Sequence, residues 1–345
     1  MHGGEQWTPY YVVHWPDDTN PTLGRGFNKT MTRILVTGGL GTVGKVLVWT
    51  LRKRGHAVVV SGIEHHHESD YVRCDVASHM QLSRVFDSER FDFVYHLAAE
   101  FGRWNGEDYY DRLWMSNVVG TKNLLRMQEK RGFRLIHFSS SEVYGDYDGV
   151  MTEDVMDKHE VRQLNDYALT KWVNEQQIIN SAAMHGTQSV RVRLFNTYGP
   201  GEYYSSYRSV VCVFIYRALH DLPYKVYLGH HRTSSYVTDT CDTLANIVDN
   251  FKAGEVYNIG GTEYHDIKTL SDIILKYLKK EGTHVEYLPA EPFTTRDKRV
   301  SVDKAIRDLG HSPKVSLGAG IGRTIDWMRD VYVSKKALVR LEEYF

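Results

Sequence analysis

The chain has 345 residues, 42% of them hydrophobic and 25% charged, which argues against collagen-like, coiled-coil and wholly disordered classes. Lysine and arginine number 42 against 43 acids, a net charge of -1, so nothing in the balance supports a nucleic-acid or anionic-membrane partner. No apolar run reaches membrane-span length, no basic flank precedes an apolar run at the start, and the 3 cysteines (Cys74, Cys212 and Cys241) form no C-x-x-C, so a reduced, cytoplasmic protein with small buried thiols is expected.

Residues 1–30 are rich in Trp, Tyr, Pro and Asn and keep no period. They read as a loosely ordered extension, or as an arm over a site or a neighbouring subunit. From Met31 the text is regular. Arg33–Thr37 predicts a strand. Val43–Arg54 predicts a helix with Val43, Val46, Leu47 and Leu51 on one face. Strands follow at Ala57–Ser61 and Tyr71–Cys74, a helix at Met80–Phe86 and a strand at Phe91–Leu97. A long helix is expected over Tyr109–Lys130, a strand over Arg134–Ser139, a helix over Asp166–Ala183 and a strand over Ser189–Leu194. Short apolar runs alternating with helices imply an α/β protein with a doubly wound parallel sheet of the Rossmann kind. After Gly199-Pro200 the pattern loosens. Helices near Ser209–His220, Thr240–Phe251, Ile267–Lys280, Asp303–Leu309 and Gly320–Val331 suggest a smaller C-terminal α/β substrate lobe. The expected division is an extension at 1–30, a dinucleotide-binding domain over 31–200 and the lobe over 201–345, with segments interleaved.

Between the first strand and first helix stand Gly38, Gly41 and Gly44, spaced G-x-x-G-x-x-G, with Thr42 and Val43 opening the helix. A tight turn and a close backbone approach to a pyrophosphate both require glycine there. The helix N-terminus then offers N–H groups and partial positive charge to the phosphates. At the end of the second strand, where an NAD-selecting acid belongs, the chain has Gly62. Glu64 can substitute, and no Arg or Lys follows before Arg73, so the reading leans to NAD with NADP open. His65, His66 and His67 are neighbours that cannot all face one ion, and they read as a solvated loop; no metal is expected.

Tyr167 and Lys171 lie four apart on a predicted helix, hence on one face. An ammonium near a phenol lowers the phenol's pKa, so that it can take a hydroxyl proton. At the C-terminal end of a predicted strand, where parallel sheets bind ligands, come Ser140, Ser141 and Glu142. Ser140 can hold the reacting hydroxyl, and Glu142 adds a carboxylate able to act as a second base.

The ordered set of Thr37–Gly44, Cys74-Asp75-Val76, His96-Leu97-Ala98-Ala99, Ser139–Gly145, Tyr167/Lys171 and Arg193–Pro200 resembles extended short-chain dehydrogenases/reductases of the nucleotide-sugar epimerase, dehydratase and decarboxylase group. Arg232–Asp239, Tyr257–Gly260 and Arg299–Ala305 match as well, so the resemblance covers about residues 32–331. It implies an NAD(P) cofactor, a nucleoside-diphosphate sugar substrate and a homodimer formed through helices near 109–130 and 166–183. It implies that Asp75, beside Val76, hydrogen-bonds the adenine, and that Ala98 and Ala99 line the cofactor groove. Phe195 and Asn196 would meet the nicotinamide and the substrate, and Arg232 and Arg299 the diphosphate. The segment from Glu100 through Arg103 to Gly106 departs from the family texts and is expected to line the sugar pocket.

The shared first step of that group is oxidation at sugar carbon 4. Loss of water, loss of carbon dioxide, or inversion then follows. Ser141-Glu142 favours carbon-5 chemistry, a 4,6-dehydratase or a uronate decarboxylase, narrowly over a 4-epimerase. A net reductase would instead consume NAD(P)H. A non-catalytic sugar-nucleotide binding protein is the alternative of another class, against which the intact Ser140, Tyr167 and Lys171 argue.

Overall fold

The computed structural model describes residues 31–292 and 294–345. The extension over 1–30 lies outside the described residues. Strand β1 (Arg33–Thr37) is the middle of the molecule: Ile34, Leu35 and Val36 are all fully buried. A strand covered on both faces needs apolar residues at successive positions, which this run supplies. Around it lie β2 (Ala57–Gly62), β3 (Tyr71–Arg73), β4 (Phe93–His96), β5 (Arg134–Ser140) and β6 (Ser189–Leu194). The sheet has 7 strands, in the order Val256–Ile259, β6, β5, β4, β1, β2, β3. Every pairing is parallel.

The strand order places the site. The chain leaves β1 towards β2 and β3, then returns past β1 to β4. The crevice between the C-terminal ends of β1 and β4 is where such sheets bind ligands. Helix α1 (Thr42–Lys53) packs on one face with the helix Val237–Asn246. His79–Ser88 and Gly120–Arg131 pack on the other, around Leu82, Phe86, Leu124 and Leu125.

The long helix expected over Tyr109–Lys130 is interrupted. Tyr110–Trp114 and Gly120–Arg131 are α-helical, and Met115–Val119 between them is a π turn. The extra residue turns Asn117 so that its side chain grips Glu100, accepting from its N–H at 2.9 Å and donating to its carbonyl at 3.1 Å.

Beyond Tyr198 the chain serves both layers. The strand Val256–Ile259 extends the sheet beside β6, while a separate apolar core gathers Ile215, Leu270, Ile274, Ile321 and Trp327 from three helices. Two short pairs, Tyr224–Tyr227 with Val285–Leu288 and His231–Thr233 with Tyr264–Asp266, flank that core. All three cysteines are buried and free. Among the described residues, no helix is long and apolar enough to cross a membrane, and no cluster of His, Cys, Asp and Glu suits a metal ion.

Candidate active site

The turn after β1 shows why the glycines stand where they do. Gly38 has φ +70, and a Cβ there would lie 2.7 Å from the Ala98 nitrogen at the end of β4. A Cβ on Gly44 would lie 2.5 Å from the Gly38 oxygen. Only glycine lets the turn, β4 and α1 come this close. No side chain caps α1, so its first N–H groups are left for a ligand. The groove so formed has a volume of about 480 Å³, and Gly41, Thr42, Val43, Asp75, Val76, Ala98 and Ala99 all line it. Asp75 accepts the Ala77 N–H at 2.9 Å, which orients its carboxylate at that rim.

The missing acid at position 62 has a replacement in space. A Cβ on Gly62 would lie 2.7 Å from a carboxylate oxygen of Glu64, so Glu64 folds back over the place the usual acid would take. Tyr71 donates to the Glu64 carbonyl at 2.6 Å and fixes that return. Arg73 turns away and donates to the Ile63 carbonyl at 2.9 Å. His65, His66 and His67 lie in a loop, where His66 meets Glu68 at 3.2 Å.

Tyr167 opens the helix Asp166–His185, whose N-terminus is capped by the Asn165 side chain accepting from Ala168 N–H at 2.9 Å. Two turns on, buried Glu175 takes Arg193 in a fork, at 2.9 and 2.8 Å, and accepts from Ser139 at 2.6 Å. This buried pair fixes the helix against the C-terminal ends of β5 and β6. Ser140, next to Ser139, thereby meets Tyr167, whose side chain it hydrogen-bonds. Lys171 donates to the Phe138 carbonyl at 2.8 Å and stands 5.8 Å from the centroid of the Tyr167 ring.

One electrostatic expectation is corrected. The Tyr167 phenol is pushed up to about 12 rather than lowered: burial raises it, the Ser140 hydrogen bond pulls it down and the Glu142 charge raises it again. Lys171 gives it no detectable help because the ammonium is turned to the Phe138 carbonyl. Burial brings Lys171 itself down to about 8.

Tyr167, Asn196, Phe101 and Arg208 line both the groove and a second cavity of about 680 Å³ towards the C-terminal segments. Asn196 has φ +39, and its Oδ1 is buried without a partner. Strain and an orphaned acceptor at one residue mark a place built for a ligand. In the second cavity Glu142 pairs with Lys298, a lysine whose side chain is only 2% exposed. Burial would raise the Glu142 carboxyl, but Lys298, then Arg232 and Arg103, outweigh it and hold it below its ordinary value. Arg232 is buried and braced by the His231 and Arg296 carbonyls, both at 2.8 Å. Arg103 pairs with Glu291 and donates to the Pro292 carbonyl at 3.2 Å.

Four expected site residues stand elsewhere. Phe195 is fully buried against Tyr144, and its neighbours Leu194 and Asn196 line the groove in its stead. Ser141 is buried and lines neither cavity. Glu100 lies on the groove at the glycine turn and not in the second cavity, because Arg112, at 2.7 Å, and Asn105 hold its carboxylate. Arg299 is exposed, its guanidinium 5.9 Å from the Tyr264 centroid, and the preceding residue, Lys298, enters the cavity. The 297–300 stretch is extended, so side chains alternate and a one-residue offset reverses the direction. Lys298 and Arg208 were missed because no local motif marks them; alternation from the Arg299 match was the one available signal for Lys298.

The sequence pattern of the NAD dependent epimerase/dehydratase family matches residues 34–260. UDP-glucuronic acid decarboxylase 1 of Danio rerio is 29% identical over 315 residues, covering 87% of this chain and 73% of that protein. The dTDP-glucose 4,6-dehydratase of Shigella flexneri is 26% identical over 345 residues, covering 86% and 92%. Among solved structures, an epimerase from Methanothermobacter thermautotrophicus matches with a TM-score of 0.80 at 28% identity, over 88% of this chain and 93% of that one. UDP-glucuronic acid 4-epimerase from Bacillus cereus, solved with UDP-glucuronic acid and NAD, matches with a TM-score of 0.78 at 25% identity, over 87% and 100%.

Proposed function

The chain belongs to the NAD-dependent epimerase/dehydratase family, and from that premise we propose that it decarboxylates a nucleoside-diphosphate uronic acid through a transient 4-keto sugar. The glycine cradle, the uncapped α1 and the returned Glu64 carboxylate fit NAD. When bound, NAD supplies the two-electron acceptor, and later the donor, for carbon 4. The observation that carries the uronate reading is the charge around Glu142. Lys298, Arg232 and Arg103 stand around Glu142, and with Arg208, Arg217 and Lys225 the cavity is lined by more cations than acids, the acids being Glu142, Glu202 and the Glu291 that pairs with Arg103. This surplus suits a substrate with an acid on its sugar as well as a diphosphate.

In this reading Tyr167 takes the proton of the carbon-4 hydroxyl while Ser140 holds that oxygen. The Lys171 ammonium, held at the Phe138 carbonyl, has to turn to the phenol when substrate and cofactor fill the site, and only then favours its ionised form. Once carbon 4 is a ketone, the carboxylate lies β to it. The bond from carbon 5 to the carboxyl carbon breaks, carbon dioxide leaves, and the electron pair moves onto the carbon-4 oxygen. Tyr167 and Ser140 hydrogen-bond the developing enolate. A proton then adds at carbon 5, carbon 4 is reduced, and Tyr167 returns its proton. The sugar loses one carbon dioxide and gains one proton, and the cofactor ends as it began.

Glu142 supports a second reading. It is ionised and lines the same cavity as Tyr167, so it can take a carbon-5 proton as in a 4,6-dehydratase. Its low proton affinity beside Lys298 makes it a weak base, which ranks this second. The homodimer is part of the proposal, with exposed Met115, Val119 and Ile179 on the two helical segments available to a second copy.

Product mass decides among these readings. The enzyme is incubated separately with UDP-glucuronate, UDP-hexoses, dTDP-glucose and GDP-mannose. Loss of carbon dioxide from the uronate is the expected result. Loss of water from a hexose establishes the dehydratase, and unchanged mass with a new retention time the epimerase. No turnover of any of them, with binding intact, would leave a sugar-nucleotide binding protein.

A further inference from the structure

The substrate cavity contains a carboxylate that the reaction above does not use. Glu291 lines it, in the stretch Pro289-Ala290-Glu291-Pro292. Its carboxylate pairs with Arg103, the first residue of the helix Arg103–Asp108. The same oxygen, Oε1, accepts from Trp104 Nε1 at 3.3 Å. The Arg103 guanidinium in turn lies 4.9 Å from the Trp104 ring centroid.

The pairing uses only half of what Arg103 offers. A guanidinium presents Nε and Nη2 along one edge, and a carboxylate that meets that edge squarely takes both, one oxygen to each donor. Glu291 bonds at Nη2 alone, while Nε is buried without a hydrogen-bond partner. The other nitrogen, Nη1, donates to the Pro292 carbonyl at 3.2 Å. A buried donor left open is a cost that a better-placed acceptor removes.

Glu291 is fixed by its backbone and loose at its side chain. Pro292 holds the residue before it to extended angles. The Glu291 N–H donates to His230 Nε2 at 3.0 Å, and His230 is buried. The side chain keeps 21% exposure, so the carboxylate can turn to water without the chain moving. Arg103 also acts on the charge of Glu142, which lines the cavity together with Tyr167. The open edge of Arg103 therefore lies towards the reacting end of the cavity, where an acid on the sugar would arrive.

We propose that Arg103 and Trp104 form the seat for the carboxylate of the sugar, and that Glu291 holds this seat until the substrate displaces it. The incoming acid takes Nε and Nη2 of Arg103 together, and Glu291 turns to solvent. A neutral hexose brings no anion to exchange, so the Arg103–Glu291 pair stays closed beside it. Once carbon dioxide has left, the product is neutral at that position and Glu291 can return. The inference rests on the uronate reading above and names the residues that recognise the acid.

The test uses full-length, NAD-loaded protein carrying Tyr167→Phe, which removes the phenol that takes the carbon-4 proton and so keeps the ligands unconverted. Affinities for UDP-glucuronate and UDP-glucose, and for the corresponding dTDP pair, are measured by calorimetry. The readout is the ratio of uronate to hexose affinity, in which contacts to the nucleotide and diphosphate cancel. Arg103→Gln is expected to lower the ratio at least about tenfold. Arg103→Lys should lower it about threefold or more, because it keeps the charge but not the two-donor edge. Glu291→Gln should raise it about threefold or more by weakening the competitor. Adding Glu291→Gln to Arg103→Gln should change the ratio by less than about twofold, since no seat is left to contest.

An unchanged ratio in Arg103→Gln overturns the proposal. So does an equal loss of both sugars, which would assign Arg103 to the diphosphate. A ratio unchanged or lowered in Glu291→Gln overturns the exchange and makes Glu291 a brace for Arg103. Urea midpoints control for folding; if Arg103→Gln does not fold, Arg103→Lys and Glu291→Gln carry the measurement. A parent protein that prefers the uronate in neither pair overturns the functional reading and the seat together. A preference kept by every variant overturns the seat alone.

Discussion

The two halves of the site are built from different materials. The cofactor groove is made of backbone: a turn at φ +70, three glycines and the free N–H groups of one helix end. Its fit is steric, and a single methyl group is enough to spoil it. The substrate cavity is made of long charged side chains, Arg103, Glu142, Arg232 and Lys298, drawn from segments up to 195 residues apart between Arg103 and Lys298 in the numbering. Its fit is electrostatic, and removing one side chain changes its partners before it changes the shape. A site made of backbone must be written locally, while a site made of side chains can be assembled from anywhere in the chain.

The sharpest way to break that contrast is Gly38→Ala. The new Cβ would sit 2.7 Å from the Ala98 nitrogen, at a backbone angle that L residues rarely adopt. A loss of about 3 kcal/mol in stability is expected, with NAD binding abolished. The readouts are urea unfolding and NAD retained through purification. Wild-type retention would mean that the groove tolerates a side chain and is not backbone-limited at all.

Lys298→Gln addresses the other half, with a somewhat smaller effect on stability. It leaves the Glu142 carboxylate without its nearest cation, so the Glu142 pKa is expected to rise and about 1–3 kcal/mol to be lost. Adding Glu142→Gln should restore much of that stability, because both charges are then gone. NAD retention should not change in either variant. Turnover should fall in both, and a further fall in Lys298→Gln as pH drops through the raised Glu142 pKa would favour the 4,6-dehydratase reading, the one that uses that carboxylate as a base. A double variant whose loss equals the sum of the single losses would show that the pair does not act as a pair.

The same contrast explains what was legible in advance. The glycine spacing, Tyr167 with Lys171 and the Ser140 cluster were readable because each lies within one turn or one helix. The strand alternation that gives the Rossmann sheet is local for the same reason. Phe195 and Arg299 were misplaced by one residue each, because an extended backbone reverses direction at every step and a motif match carries no statement of facing. The π turn at Met115–Val119 left no mark in the helical pattern, since the contact it serves, the grip of Asn117 on Glu100, lies seventeen residues upstream. Lys298 and Arg208 stand in no motif. Their roles arise from charges that meet only once the chain is folded.

Lys171 belongs to both materials, which makes it the finest test. Its position is set by a backbone carbonyl, and its use is its charge. Burial lowers its pKa from 10.5 to about 8 in the folded protein. Below about pH 8 the group is protonated in both the folded and unfolded chains, and the burial penalty is felt in full. Between about 8 and 10.5 the unfolded chain holds more protons than the folded one, so stability should rise with pH over this window. Lys171→Met removes that rise. At pH 7 it should also be the more stable protein, by about 1–2 kcal/mol after loss of the bond to Phe138 is set against relief of the penalty, while turnover falls by about a hundredfold or more. Comparing denaturant midpoints of the variant and the wild type from pH 7 to 10.5 cancels the other titrating groups. Parallel curves would show that the buried ammonium costs the fold nothing. A converging pair, with the variant leading at pH 7, would show that the site holds a destabilising charge because the chemistry beside Tyr167 requires one.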